Sequence, residues 1–179
     1  MHSKNKSNRG TTTGGFTLIE ILVVIGIIAV LAAIVIIAIN PAKQFAQARN
    51  TQRTSNVNAI LNAVGQRIAD NKGVFEGSFL SNAEDCDQIP TTDTAITSAN
   101  GTDAPGNASG NLGCLVPTYI SALPNDPTWV SGADTLYVIV MDEDCDGNAS
   151  PGRITVRAPL STTETAIPDA AANEVCVTR

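Results

Sequence analysis

The chain has 179 residues and a formal net charge of −6 at pH 7, a length that fits one globular domain beyond a long helix. The excess of acidic residues argues against general nucleic-acid binding, which requires a basic surface. The only histidine is His2, and neither a Gly-rich phosphate loop nor a Gly-x-Ser-x-Gly elbow occurs. Loss of the N-terminal segment would exclude histidine-dependent triads and His-ligated zinc sites, so we expect a non-enzyme with no catalytic residues and no required cofactor.

The N-terminal region joins a polar segment to a long apolar one. Residues 1–15 are polar and end in a glycine pair, and Glu20 precedes nineteen residues, Ile21–Ile39, without a polar side chain. At ~1.5 Å per residue this stretch is ~29 Å long as a helix, close to the hydrocarbon thickness of a bilayer. A lone ionised carboxylate there costs on the order of 2.5–3.5 kcal/mol on insertion scales, so Glu20 requires a partner.

The order of these segments indicates that the apolar helix is retained. An ordinary secretory signal places its apolar region before a small-residue cleavage site, so the apolar part is discarded. Here the glycine pair comes first. Ala46–Ala48 offers a later A-x-A cleavage pattern, but it follows an apolar run that is too long for a signal peptide. A permanently anchored protein without processing is a further alternative, and it too would have Lys4 and Arg9 in the cytoplasm.

Residues 10–40 resemble the N-terminus of type IV prepilins and pseudopilins, because they combine a cleavage site, an acidic residue and a span at fixed spacing. The resemblance implies that a membrane peptidase cuts after Gly15 and methylates the new N-terminal residue, Phe16. It implies a structural subunit of a type IV pilus or pilus-like filament, with a pseudopilin of a type II secretion machine as the alternative.

The resemblance also implies partners and a location. The expected partners are copies of the chain and other pilins in a helical filament, the prepilin peptidase and methylase, an inner-membrane assembly platform, and membrane lipid before assembly. We expect a single-pass membrane protein whose leader is cytoplasmic and whose head lies outside the cytoplasm. It would then enter an extracellular or periplasmic filament.

Glu20 has an expected role in that assembly. Cleavage leaves Phe16 with an α-ammonium group, which is largely cationic at neutral pH. In a filament, Glu20 of one subunit would neutralise the amine of Phe16 in its neighbour and set the axial register, although much of the attraction offsets desolvation. The alternative is a carboxylate that only snorkels to the membrane surface.

The residues after the span predict an amphipathic helical segment. Pro41 ends or kinks the first helix because it cannot donate a hydrogen bond to the carbonyl of Ile37. Helical spacing then places apolar residues on one face and leaves polar residues for the other, and Asn71–Gly73 supplies the stop signal. The apolar face contains Val57, Ile60, Leu61, Val64 and Ile68, and the polar face has Gln44, Gln47, Arg49, Gln52, Arg53, Gln66 and Arg67 available.

The head begins with a polar segment, Phe75–Gly113, whose Gly, Ser, Thr and Asn content predicts a surface loop around a sheet. Leu123–Pro127 predicts a turn of a kind common in pilin-like proteins. Three strands follow, with an Asp/Gly/Asn-rich hairpin loop between the first two. The apolar anchors of the loop are Phe75, Phe79, Leu80, Ile89 and Ile96, and the strands are Thr135–Met141, Arg153–Arg157 and Glu174–Val177.

Together these elements predict an α+β fold, in which a long N-terminal α-helix packs on a three- or four-stranded antiparallel sheet. The helix would be kinked, run from about Phe16 to Asn71 and measure ~80 Å, as in the "lollipop" shape that the resemblance implies. The expected parts are a leader at 1–15, a transmembrane and filament-core helix at 16–39, its amphipathic continuation at 40–72, and the globular head at 73–179.

Four cysteines, Cys86, Cys114, Cys145 and Cys176, lie in the head. An even number in an exported domain favours two disulfides, for which three connectivities exist. We prefer Cys86–Cys114, which ties the polar loop, and Cys145–Cys176, which joins the last strand to the hairpin; each adds about 2–4 kcal/mol to stability. Metal binding by four thiolates is the alternative, but it lacks a Cys-x-x-Cys pair.

The hairpin loop matches the first half of a calcium-binding loop. Asp142, Asp144 and Asp146 occupy positions one, three and five, and Gly147 follows for the sharp turn. Carboxylate oxygens at alternate positions converge on one cation, and the backbone carbonyl of Asn148 would add a ligand. Calcium-binding loops also occur in some major pseudopilins, so the resemblance makes Ca²⁺ a candidate ligand.

The calcium match is incomplete. Position twelve is Arg153 rather than Glu, so the bidentate ligand would have to come from Glu143 or Asp126 elsewhere in the fold. The alternative is a solvated hairpin tip whose Asp and Gly residues make only the turn.

The sequence of the head does not distinguish a type IV pilin from a pseudopilin. The polar loop and the four cysteines favour a surface-exposed pilin, whereas the Leu123–Pro127 turn and the Asp-rich hairpin favour a major pseudopilin. A non-polymerising, membrane-anchored domain that binds a ligand is a third hypothesis. Asn100–Thr102, Asn107–Ser109 and Asn148–Ser150 match a glycosylation acceptor pattern, which is common by chance.

Overall fold

The computed structural model describes residues 14–77, 86–97, 109–172 and 174–179. The chain divides into two compact units, Met1–Pro41 and Ala42–Arg179. Phe79, Leu80 and the acceptor patterns that begin at Asn100 and Asn107 fall wholly or partly outside the described residues, as does most of the leader.

The first unit contains one helix, α1, at Leu18–Ala38. Thr17 is its N-cap residue, and none of its residues is buried. Within the described part of the chain it is the one helix long and apolar enough to cross a membrane, by length and composition. A helix that is apolar on every side needs lipid or protein all around it.

The second helix, α2, spans Pro41–Asp70, so the expected kinked helix is in fact two helices. Ile39 and Asn40 are not helical. Pro41 occupies the first position of α2, where its fixed φ is favourable and its missing N–H would have had no partner in any case. The proline therefore starts a helix here instead of bending one.

One face of α2 packs on the sheet. The predicted apolar residues Val57, Ile60, Leu61 and Val64 are buried, and Ile68 is partly buried against the same core. The helix ends as predicted, where the N–H of Gly73 donates to the carbonyl oxygen of Ile68 at 2.8 Å.

The placement of two arginines on the polar face is wrong. Arg53 is fully buried and Arg67 is 2% exposed. Both lie at helical spacing from the buried residues and so extend the same stripe at its two ends. Arg67 holds the segment after α2 against the helix. Its Nε donates to the carbonyl oxygen of Phe75 at 2.8 Å, and its guanidinium carbon lies 5.7 Å from the centroid of the Phe75 ring.

The sheet has four antiparallel strands in the order β1-β2-β3-β4, which confirms the α+β class. The three predicted strands are present, and the first two form the predicted hairpin. Inward-facing residues of the sheet, including Ile96, Tyr137, Ile139 and Val156, share one core with α2. The strands are β1 at Thr94–Thr97, β2 at Asp134–Glu143, β3 at Ala149–Ala158 and β4 at Val175–Thr178.

The interpretation of Phe75–Gly113 as a surface loop is wrong in part, because it contains β1. Ile96 is fully buried in this strand, and Ile89 and Leu112 are buried beside it. The outer edge of β1 is covered by residues 109–112, where the Thr97 N–H donates to the carbonyl oxygen of Gly110 at 2.9 Å. This close approach requires glycine, since a Cβ at position 110 would lie 1.9 Å from the carbonyl oxygen of Ala95.

We therefore expect Gly110→Ala to lower the free energy of unfolding by about 1–3 kcal/mol, because backbone atoms must move to admit the methyl group. Gly65→Ala is the matched control. Position 65 lies in α2 with open space around its Cβ direction, so alanine should raise stability there by ~0.5–1 kcal/mol. Denaturant unfolding of a fragment lacking residues 1–40 measures both, and equal effects of the two substitutions would contradict the close approach.

Candidate processing and assembly site

The expected cleavage point lies in non-helical chain just before α1. Residues 14–17 have no regular structure and are exposed. The positions that a Cβ of Gly14 or Gly15 would take have no heavy atom within 4 Å, and Phe16 is 85% exposed. The bond between Gly15 and Phe16 is therefore sterically accessible.

Glu20 is bound by Thr17 in a capping box. Its Oε2 accepts hydrogen bonds from the backbone N–H and the hydroxyl of Thr17, both at 2.8 Å, and the N–H of Glu20 donates to the Thr17 hydroxyl oxygen at 3.3 Å. The Thr-x-x-Glu spacing is the signal by which the sequence could have revealed this partner. The cap supplies hydrogen bonds and no positive charge.

The capping box uses only one carboxylate oxygen. Both bonds from Thr17 reach Oε2, and no residue in the described part of the chain donates to Oε1 or forms a salt bridge with Glu20. A cation can therefore approach Oε1 while the cap stays closed.

A buried ion-pair network holds two loops of the head on α2. The Nε of Arg53 lies 2.6 Å from Oδ2 of Asp126, and its Nη1 lies 2.6 Å from Oε1 of Glu164. Arg49 donates to Glu164 as well, with its Nε 2.7 Å from Oε1. Sequence reasoning missed this network because its members are far apart along the chain.

Both carboxyl groups of the network are stabilised in the ionised form. Hydrogen bonds from Arg49 lower the pKa of Glu164 from 4.5 to about 2, and those from Arg53 add to the effect. Burial raises the pKa of Asp126, but hydrogen bonds from Arg53 and Thr128 outweigh it and leave the pKa below its ordinary value. Loss of either carboxylate would leave Arg53 buried with incomplete compensation.

The three aspartates of the hairpin are not brought together. In the described residues no group of three or more His, Cys, Asp or Glu side chains is placed to hold a metal ion. Asp142 Oδ1 accepts the N–H of Gly152 at 2.6 Å, and Asp144 Oδ1 accepts the N–H groups of Asp146 and Asn148 at 2.9 Å. The first two aspartates therefore stabilise the hairpin itself.

The two carboxylates suggested as a replacement ligand both bind arginines in the structure. Asp126 binds Arg53, as above. Glu143 lies 2.5 Å from Nη2 of Arg157, which also binds Asp93 at 2.9 Å. Arg157 lies on β3 in the face turned away from α2, and its charge draws both carboxylates to that face.

The cysteines form the two preferred disulfides. Cys86 is bonded to Cys114, and both are buried in the core. Cys145 is bonded to Cys176, which joins the exposed hairpin tip to β4. None of the described cysteines is free.

Comparison with protein families matches residues 12–38 to the prokaryotic N-terminal methylation motif. The match covers the segment around Gly15 and Phe16, the capping box and α1. No curated protein and no solved structure matches the chain. The resemblance of the N-terminus to type IV prepilins and pseudopilins is thus confirmed over this range.

The motif supports a type IV pilin-like or pseudopilin precursor. It implies processing by a prepilin peptidase and assembly into a pilin filament. The apolar α1 near the N-terminus fits membrane anchoring of such a precursor. Proteins with this motif are structural subunits rather than enzymes.

The ion-pair network predicts acid sensitivity. The pKa of Glu164 is lower in the folded state, so its stabilisation is fully present above pH ~4.5 and is lost as the pH falls towards about 2. Glu164→Gln should cost about 1.5–3 kcal/mol at pH 7, since a hydrogen-bonded charge is removed from a buried arginine. The difference between the wild type and this variant should shrink at acid pH.

Denaturant unfolding at several pH values between 7 and 2 measures this difference. Asp70→Asn is the control, because Asp70 is an exposed carboxylate at the end of α2. A constant difference between the wild type and Glu164→Gln across this range would contradict the assignment.

Calcium binding by the hairpin stays a prediction. Calorimetric titration of Ca²⁺ into a fragment lacking residues 1–40 tests it. Binding would release or absorb heat and raise Tm, and Asp146→Asn should abolish both, since it removes a carboxylate ligand while the hydrogen bonds to Asp144 are kept. Absence of heat on titration of the wild type would contradict the prediction of calcium binding.

Proposed function

We propose that the chain is a structural subunit of a type IV pilus or pilus-like filament, made as a prepilin that is cut after Gly15 and N-methylated at Phe16. The observation that carries the proposal is the position of the methylation motif, residues 12–38, at the start of a helix that is apolar on all sides. Cleavage at Gly15 keeps this helix on the mature protein. A discarded signal peptide would lose it.

Before assembly, α1 lies in the membrane with the leader in the cytoplasm and the head outside. Lys4 and Arg9 support this orientation through the positive-inside rule. The two disulfides of the head support it independently, because such bonds form and persist in oxidising compartments. In this state the Thr17 cap reduces the cost of Glu20 by giving its carboxylate two hydrogen bonds.

Assembly replaces lipid by neighbouring subunits around α1. The new α-ammonium group of Phe16 binds Glu20 of an adjacent subunit at Oε1, which the Thr17 cap leaves available. One axial offset satisfies both charges, so the pair sets the register of the helices. The prepilin peptidase and methylase, an inner-membrane assembly platform and other pilins complete the set of partners.

The second candidate is a pseudopilin of a type II secretion machine, favoured by the Leu123–Pro127 turn and the Asp-rich hairpin. In either case the parts are a leader at 1–15, a filament-core helix at 16–39, its continuation at 40–72 and a head at 73–179. Electron microscopy of sheared cells with an antibody to the head separates the candidates. Long labelled fibres support a pilin, and their absence with processing intact supports the secretion role.

Substitutions at Glu20 and Thr17 distinguish the effect of the Glu20 charge on filament assembly from the effect of the Thr17 capping hydrogen bonds. Glu20→Gln keeps an oxygen for the Thr17 cap but removes the charge, whereas Thr17→Ala keeps the charge and removes the cap's hydroxyl. We expect both variants to be cut after Gly15. Glu20→Gln should give at least ~10-fold fewer filaments, since the loss of ~1.4 kcal/mol per contact has that effect. Thr17→Ala should assemble more efficiently than Glu20→Gln.

N-terminal sequencing and filament recovery from sheared cells measure these outcomes. The mature product should begin with a modified phenylalanine at position 16. Another N-terminus would reject the processing step, and normal filaments from Glu20→Gln would reject the charge pair.

A further inference from the structure

The tip of the β2–β3 hairpin carries the acceptor tripeptide Asn148-Ala149-Ser150, which the proposed filament role does not use. Residues 145–149 are all exposed, and Asn148 directly precedes β3. The chain has four such acceptor patterns, counting Asn5–Ser7 in the leader, and this is the one whose three residues all lie in the described part. From this placement we propose that Asn148 is the attachment site of an N-linked glycan.

The side-chain amide of Asn148 is accessible and weakly held. Its Nδ2 has contacts of 3.4 Å with both carboxylate oxygens of Asp144, a distance beyond the usual range for an N–H···O hydrogen bond. Rotation about the side-chain bonds therefore frees the nitrogen at little cost.

The hairpin does not depend on that side chain. The backbone N–H of Asn148 donates to Oδ1 of Asp144 at 2.9 Å, and the Asp144 N–H donates to the carbonyl oxygen of Asn148 at 3.0 Å. The Cys145–Cys176 disulfide holds the same tip to β4. A sugar on Nδ2 therefore leaves the contacts that fix the turn in place.

The modification is a glycosyl transfer from a lipid-linked glycosyl diphosphate. A bond forms between Nδ2 of Asn148 and the anomeric carbon of the sugar, and the bond from that carbon to the diphosphate oxygen breaks. The lipid diphosphate leaves with the electron pair, and the amide nitrogen gives one proton to a base of the transferase. A lipid-linked donor is required because the head lies outside the cytoplasm, so this inference rests on the orientation given under the proposed function.

Peptide mass spectrometry of the protein purified from its native cells tests the inference. Cleavage after glutamate, following reduction, releases residues 144–164, which contain Asn148 and none of the other acceptor patterns. The wild-type peptide should carry the added mass of a glycan. Asn148→Gln and Ser150→Ala should lack it, whereas the matched variant Ser150→Thr should keep it, because threonine preserves the acceptor pattern.

The state of the cysteines distinguishes the two possible failures. An unmodified peptide from protein whose Cys145 and Cys176 are disulfide-bonded overturns the glycan site and leaves the proposed function intact. Reduced cysteines in the native protein would overturn the exported orientation, and the glycan site with it. A glycan that persists in Ser150→Ala would also overturn the assignment, since the acceptor pattern would then play no part.

Discussion

The head of this protein depends on a guanidinium group that has no access to water. Arg53 is fully buried, so its charge must be balanced by carboxylates that are also withdrawn from solvent. Asp126 and Glu164 provide that balance from two separate stretches of chain, the turn before β2 and the connection from β3 to β4. An incorrectly docked turn or connection would leave a buried charge uncompensated. The network therefore specifies one arrangement of the loops on α2, whatever its net contribution to stability.

The two helices meet the same hydrophobic requirement in different ways. The apolar face of α2 is narrow, and the sheet of the same chain covers it. No residue of α1 is buried, and a helix that is apolar on every side cannot be satisfied by cover on one face. Lipid can surround such a helix completely, and so can a ring of identical helices. The methylation motif at the start of α1 implies processing by a prepilin peptidase and assembly into a pilin filament, in which such helices surround one another.

Much of the fold could be predicted because its signals are local. Val57, Ile60 and Val64 recur with the helical period, and the residues of β2 and β3 form apolar runs beside a turn. Strand β1 was not predicted from the sequence. It is four residues long with one large apolar side chain, Ile96, and its partner strand lies some forty residues later.

The candidate site shows a similar division between local and non-local information. The spacing of Gly15, Phe16 and Glu20 lies within six residues and matches a known signal. Arg53 lies at helical spacing from Val57, but its charge led the sequence analysis to place it on the polar face. Only the positions of Asp126 and Glu164 in space explain its burial. The aspartates of the hairpin show the converse, because regular spacing in the sequence does not by itself determine where carboxylates point, and in the described residues they are not grouped for a metal ion.

Under the proposed charge pair, the capping box gives a reason for cleavage to precede assembly. In the uncut chain the nitrogen of Phe16 belongs to a peptide bond and is neutral, so Glu20 has hydrogen bonds from Thr17 and no salt bridge to any described residue. Cutting after Gly15 produces a cation at Phe16 without touching Thr17, so the cap survives the reaction. A subunit that still carries its leader can contribute a carboxylate to a neighbour but cannot contribute an amine. Under the proposed pairing of Phe16 with Glu20, such a subunit would break the chain of charge pairs at its own position, and cleavage would then determine which subunits can be added.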